Sequence, residues 1–194
     1  MFELFQKGGP IMWPLLFTSV VSVTIILERF FFLLIEKRKR NRRTIHEIFS
    51  MVAHGEIKEA IAQSEKTSDY VARVLLCGLK NKDKSLANAL QTAASQEIGR
   101  FSARLYILDT VITLAPLLGL LATVTGMIRS FNLLGGAELS APTVITGGIA
   151  EALIGTGFGL AIAIVALIPF NILNQVVLSV TQEIEISATE LELL

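Results

Sequence analysis

The sequence of 194 residues contains a single cysteine, Cys77, so a disulfide within the chain is excluded. Its only histidines, His46 and His54, have no cysteine or close acidic partner at metal-ligand spacing, and we predict no metal site and no cofactor. The sequence has no recognisable pairing of a nucleophile with a base, which argues against an enzyme. By contrast, 52% of the residues are hydrophobic, a fraction typical of membrane proteins.

Charge is absent from three long stretches, residues 8–27, 110–128 and 152–182. A helix needs about 20 apolar residues to cross a bilayer. We therefore predict an all-α integral membrane protein with transmembrane helices at 10–35, 105–131 and 143–170. The remaining segments are an amphipathic lead-in at 1–9, a helical region at 36–104, a loop at 132–142, and a C-terminal helix and tail at 171–194.

Positive charge is confined mainly to one part of the chain, since 14 of the 17 Lys and Arg residues lie between Glu36 and Arg104. The loop 132–142 has none. Basic residues favour the cytoplasmic side of a membrane, so we expect the N-terminus and this loop in the periplasm, and residues 36–104 and the C-terminus in the cytoplasm. The densest run is predicted to form a basic collar that faces anionic lipids: Lys37, Arg38, Lys39, Arg40, Arg42 and Arg43. Because this run adjoins a membrane span, we do not interpret it as a nucleic-acid site.

Helical periodicity continues outside the spans. Residues 44–81 read as short amphipathic helices, with Gly55 as a stop after the first. The stretch from 82 to the second span contains one glycine and no proline, which predicts one unbroken helix. The third helix is expected to run from about 143 to 178, about 54 Å at 1.5 Å per residue, and so to project beyond a bilayer about 30 Å thick.

Small and hydroxyl-bearing residues recur on one face of the second and third spans. Thr123 lies among Pro116, Gly119 and Gly126, and Thr156 lies beside a row of glycines spaced by four. Small faces let helices pack closely, which predicts a packing role for Pro116, Gly119, Gly126, Gly147, Gly155 and Gly159. The threonines could instead line a path more polar than lipid, and the residues alone leave both interpretations open.

Glu151 is an ionisable residue near the outer end of the third predicted span. A charge within a span costs roughly 2.5–3.5 kcal/mol, so such a residue usually has a partner or faces a cavity. Structural pairing and a role at a pore mouth both remain open.

Two motifs carry a family resemblance. The segment "APLLGLLATVTGMIRSF" (115–131), followed by "GGIAEALIGTGFGLAIA" (147–163), resembles the paired signature of the ExbB/TolQ/MotA proton-channel family. Three spans with a large insert after the first are similar to ExbB and TolQ, whereas MotA-type proteins have four spans.

The resemblance implies a proton-channel subunit of a stator or motor in the bacterial inner membrane. Five copies would form a ring around two copies of an ExbD/TolR-like single-span partner, whose aspartate carries the proton. Proton motive force would then act on a periplasmic or outer-membrane machine through a TonB/TolA-like protein. Matched to the motifs, Thr123 and Thr156 are pore-lining hydroxyls, and Glu151 occupies the family's glutamate position.

The sequence departs from the family pattern at three places. Ala122 stands where a glycine is expected, Gly157 where an alanine is usual, and Pro169 lies about four residues after the usual proline position, here Val165. These departures leave the pore threonines in place. The alternative is a non-conducting scaffold packed through its small faces; a solute transporter is disfavoured because no inverted repeat is found.

Overall fold

The computed structural model describes residue 5, residues 8–134 and residues 142–194, without the side chains of residues 83, 133, 134 and 142–145. Most of the predicted lead-in 1–9 and of the loop 132–142 lies outside these residues. The described chain is all helical, without strands, as predicted. Its helices are α1 (Met12–Lys39), α2 (Arg42–Ala53), α3 (Ile57–Glu65), α4 (Tyr70–Lys80), α5 (Lys82–Ser102), α6 (Leu105–Leu134) and α7 (Pro142–Glu192).

Three of these helices are long and apolar enough to cross a membrane, and they are the three predicted from the charge-free stretches. The spans lie within Met12–Lys39, Leu105–Asn132 and Thr146–Glu192. The protein is therefore a multi-pass membrane protein. Helix α7 has 51 residues, or about 77 Å at 1.5 Å per residue, and it continues through Pro169. It thus exceeds both a bilayer and the length expected from the sequence.

The chain divides into two compact units, each described here by itself. The span unit comprises residues 1–27 and 104–171, and the charged unit comprises residues 28–103 and 172–194. In the span unit Met12 and Leu15 pack with Ala115 and Ala163. Bulky side chains on α6, such as Leu117 and Ile128, are more than half exposed. A membrane protein presents such surfaces to lipid or to other chains.

The charged unit has a conventional apolar core. The amphipathic helices α2, α3 and α4 were predicted from their periodicity, and Ile48, Val71, Leu75 and Ile184 are fully buried among them and the end of α7. Side chains of Asn41 and Asp69 cap the N-termini of α2 and α4. Such caps satisfy backbone N–H groups that have no partner within the helix.

The prediction of one unbroken helix from residue 82 into the second span is wrong. Helix α5 ends at Ser102, and α6 begins at Leu105. Arg104 between them adopts a positive φ of 64°, the left-handed conformation that interrupts a right-handed helix. Because this conformation usually marks glycine or asparagine, the arginine gave no sequence signal of a break.

At two glycines of the charged unit, substitution by alanine is expected to have opposite effects on stability. At both Gly55 and Gly99 an added Cβ would meet no described atom within 4 Å. Gly55 has a φ of +80° after α2, so Gly55→Ala is expected to destabilise the unit by about 1 kcal/mol. Gly99 lies inside α5, so Gly99→Ala is expected to stabilise it by about 0.5–1 kcal/mol. Thermal unfolding of the purified variants in detergent measures both effects. Melting temperatures that shift in the same direction would contradict the left-handed conformation of Gly55 or the helical position of Gly99.

Candidate functional site: the α6–α7 helix pair

Helices α6 and α7 approach so closely in the span unit that their glycines have no room for a side chain. A Cβ on Gly159 would lie 2.5 Å from the carbonyl oxygen of Ala115, and a Cβ on Gly155 would lie 2.5 Å from the Cβ of Ala122. One on Gly126 would lie 2.9 Å from the Cβ of Ala152. The pair is thus held together through small residues on both helices.

Two threonines carry hydroxyls in this pair. The Oγ1 of Thr156 donates to the carbonyl oxygen of Gly119 on α6 at 2.8 Å, in addition to a 3.2 Å contact with Ala152 O on its own helix. The Oγ1 of Thr123 donates to Leu120 O at 2.6 Å within α6. Both threonines are half-buried. Each hydroxyl has used its proton but keeps lone pairs that can accept a hydrogen bond from water or a hydrated proton.

The structure brings most of the predicted packing residues to this contact. Four of the predicted glycines lie against the facing helix: Gly119, Gly126, Gly155 and Gly159. A Cβ added to any of them would come within 3.0 Å of an atom of that helix. Pro116 is inside α6 and half-buried. Gly147 is not at the contact, because an added Cβ there would meet nothing within 4 Å in the described part of the chain.

Glu151 has a partner of opposite charge. The Nη1 of Arg129 lies 3.0 Å from Glu151 Oε1, with the two side chains 54% and 25% exposed respectively. The turn before α1 also lies against this carboxylate: Gly9 has a φ of +72°, and a Cβ on it would lie 1.9 Å from Oε1. Structural pairing therefore accounts for Glu151 in this chain, and the pore-mouth role stays a prediction.

Sequence reasoning missed three residues of the contact on α6: Ala115, Ala122 and Ser130. Ala115, Gly119, Ala122, Gly126 and Ser130 are buried along α6 at spacings of four, three, four and four. Gly119 and Gly126 of the predicted face belong to this buried row. The other two members, Pro116 and Thr123, each lie one residue beyond it and are only half-buried. A search for small residues of any kind at these spacings would have found it. Ala122, a departure from the family pattern, fits because Gly155 faces it.

The basic run Lys37–Arg43 divides into two groups. Lys37, Arg38, Lys39, Arg42 and Arg43 are exposed, as a basic collar requires. Arg40 contradicts the predicted lipid-facing collar, because its side chain is only 15% exposed.

Arg40 belongs instead to a network inside the charged unit. Its guanidinium pairs with Asp69 at 2.6 Å and with Glu183. Tyr70 donates its hydroxyl to Glu183 as well. Burial, and then this hydrogen bond, raise the pKa of the Tyr70 phenol well above its usual value. Asp69, fully buried, also accepts from the backbone N–H of Asn41 at 2.8 Å.

No group of three or more His, Cys, Asp or Glu residues in the described part of the chain could hold a metal ion. The contact between α6 and α7 is instead made by small residues and by the hydrogen bond from Thr156 to Gly119 O.

The chain belongs to the MotA/TolQ/ExbB proton channel family, whose model matches residues 63–186. It is 36% identical over 178 residues to the biopolymer transport protein ExbB-like 1 of Synechocystis sp., covering 87% of this chain and 68% of that protein. It is 36% identical over 100 residues to the Tol-Pal system protein TolQ of Haemophilus influenzae, covering 52% and 44% of the two chains. It is 28% identical over 179 residues to the biopolymer transport protein exbB1 of Vibrio cholerae, covering 89% and 78%.

Proposed function

We propose that the chain is the proton-channel subunit of an energy-transducing complex in the bacterial inner membrane. Membership of the proton channel family supports an energy-transducing role. The observation that carries the finer proposal is the hydrogen bond from Thr156 to Gly119. This hydroxyl lies where the charge-free stretches of α6 and α7 meet, and Thr123 follows Gly119 on α6 by about one turn.

The chain supplies hydroxyls to the path, and the titrating carboxylate comes from another protein. The charge-free stretches 110–128 and 152–182 contain no Asp, Glu, His or Lys that could carry a proton through the middle of either span. An ExbD/TolR-like single-span partner, with an aspartate in its span, would supply that group. The hydroxyls of Thr123 and Thr156 would accept a hydrogen bond from its protonated form.

A ring of five copies around two copies of this partner would supply the enclosed path. Large apolar side chains remain exposed on α1, α6 and α7 of the single chain, for example Phe17, Leu120 and Leu153. Some of this surface would pack against neighbouring copies. The basic run at the end of α1 favours an orientation with the N-terminus in the periplasm and the C-terminus in the cytoplasm. Energy would then pass to a periplasmic or outer-membrane machine through a TonB/TolA-like protein.

Proton flux in liposomes tests this function. The chain would be reconstituted with the single-span protein encoded beside it, and an imposed gradient would be followed with an internal pH dye. We expect flux to require the partner and to fall at least about tenfold in Thr123→Val and in Thr156→Val, because valine keeps the shape and removes the hydroxyl.

Thr125→Val is the matched control, since the Thr125 hydroxyl bonds Leu121 O within α6 and its side chain is exposed. Thr156→Val loses the hydrogen bond to Gly119 O. Such bonds between helices of other membrane proteins contribute only about 0.6 kcal/mol to stability, so this variant should still fold. Unchanged flux in both threonine variants would mean that the pore face is wrong and that these threonines serve only packing, whereas no flux in the unaltered complex would favour the non-conducting scaffold.

A further inference from the structure

The charged unit contains a pocket of about 400 Å³ in which basic and hydroxyl side chains meet. It lies where the junction between α1 and α2 meets the junction between α3 and α4. Four cationic residues line it: Arg38, Lys39, Arg40 and Lys66. None of its lining residues is acidic. A second pocket of about 450 Å³ in the same unit is lined by Glu183 and Glu190 as well as by arginines, and so has no such preference for anions.

Two of the four cations keep their charge available. Arg40 is neutralised by Asp69 and Glu183, and Lys39 has Glu36 at 3.6 Å. Arg38 and Lys66 form no ion pair with any described residue. Arg38 and Lys66 are therefore the cations of the pocket without a carboxylate partner among the described residues, and the positive end of the α2 dipole lies beside them at Asn41.

Hydroxyl donors complete the lining. Thr67 and Ser68 line the pocket from the α3–α4 junction, and Thr44 lines it from the first turn of α2. The Thr67 oxygen accepts from the backbone N–H of Asp69 at 3.3 Å, which leaves its proton free to donate. Charged and hydroxyl donors together are the groups that bind the oxygens of a phosphate.

The pocket is held open by fixed contacts. Asp69 ties the two junctions together, because its Oδ2 binds both the guanidinium of Arg40 and the backbone N–H of Asn41 while its Oδ1 caps α4. Asn41 in turn caps α2 through Thr44 N at 3.3 Å. The backbone around the pocket is thus fixed before a ligand binds, and binding would have to order only the exposed side chains of Arg38 and Lys66.

We propose that this basic pocket binds a phosphate group, with Arg38 and Lys66 as its principal charged ligands. The group belongs either to an anionic phospholipid or to a soluble phosphate ester. The first source is compatible with the sequence, because Arg38 and Lys39 are at the end of the helix that contains the first candidate membrane span. The proposal does not depend on proton conduction.

The test compares two double variants that remove the same charge. Arg38→Gln with Lys66→Gln removes the two available cations of the pocket. Lys37→Gln with Arg43→Gln removes two exposed cations of the same basic run that do not line it. Phosphatidylglycerol retained by the purified chain is measured by native mass spectrometry, and binding of glycerol phosphate is measured by calorimetry against chloride at equal ionic strength.

If only the pocket variant loses retained phosphatidylglycerol, by on the order of tenfold or more, the pocket is a phosphate site and its ligand is a phospholipid. Binding of glycerol phosphate that depends on the pocket, without retained lipid, supports the site with a soluble source. Equal losses in both double variants would overturn the proposal, because they indicate general attraction to the basic run. Absence of binding to either probe in the unaltered chain would also overturn it. Proton flux through the complex is a separate readout, so failure here leaves the proposed function untouched.

Discussion

Asp69→Ala is expected to destabilise the charged unit by about 3–5 kcal/mol, the cost of breaking a buried ion pair by removing one partner. The fully buried carboxylate binds Arg40 at 2.6 Å, Asn41 N at 2.8 Å and Val71 N at 2.9 Å. The substitution removes all three contacts at once. It also leaves the Arg40 guanidinium, only 15% exposed, with Glu183 as its remaining partner.

Glu47→Ala is the matched control for Asp69→Ala. Glu47 pairs with Arg43 at 3.1 Å, but Arg43 is 90% exposed, and an exposed pair contributes about 0–1 kcal/mol. Thermal unfolding in detergent should therefore show a large decrease in melting temperature for Asp69→Ala and a small one for Glu47→Ala. Similar decreases in the two variants would mean that the Arg40–Asp69–Glu183 network contributes little to stability.

Gly159→Ala is expected to separate α6 from α7 at a cost of about 1–3 kcal/mol, the usual range for adding a methyl group to a well-packed contact. The new Cβ would lie 2.5 Å from Ala115 O and 3.1 Å from the Cα of Gly119. Both are backbone atoms, so no side chain can rotate away to relieve the clash. The displacement would also disturb the hydrogen bond from Thr156 to Gly119 O.

Gly147→Ala tests whether any alanine on α7 has this effect. An added Cβ there would meet no described atom of the chain within 4 Å, so the folded monomer should keep its stability. The two variants would be compared by melting temperature in detergent and by proton flux with the partner. If Gly159→Ala matches Gly147→Ala in both measurements, the close contact of α6 and α7 is wrong.

The spans and the short amphipathic helices were predictable because each depends on local composition. The absence of charge over about 20 residues is a sufficient sign of a span, and a helical spacing of apolar residues is a sufficient sign of α2 or α4. The break at Arg104 was not predictable in this way. Its left-handed conformation occurs at a residue type that seldom adopts it.

Packing of α6 through small residues was predicted, but two of the residues assigned to the packing face lie one position away from the buried row. The sequence showed a small face on α6, but the resemblance directed attention to Thr123 and made Ala122 a departure. Packing selects side chains by size, so Ala122 serves where a glycine was expected, with Gly155 opposite it. The orientation of a helix about its axis depends on its neighbour, and one sequence segment does not contain that information.

The burial and ion pairing of Arg40 depend on residues far away in the sequence. It lies in a basic run, and its neighbours are exposed as expected. Its partners are 29 and 143 residues further along the chain. Local charge patterning identifies a basic run, but it cannot tell which member of the run will pair with distant carboxylates.

The central claim is that the Thr156 hydroxyl serves proton passage as well as helix packing. The most direct test compares Thr156→Ser with Thr156→Val in liposomes that contain the single-span partner. Serine keeps the hydroxyl beside Gly119 O, whereas valine keeps the shape without it. We predict flux close to that of the unaltered chain for Thr156→Ser and a loss of at least about tenfold for Thr156→Val. Equal flux in the two variants, with both folded and bound to the partner, would contradict the claim and leave Thr156 with a packing role alone.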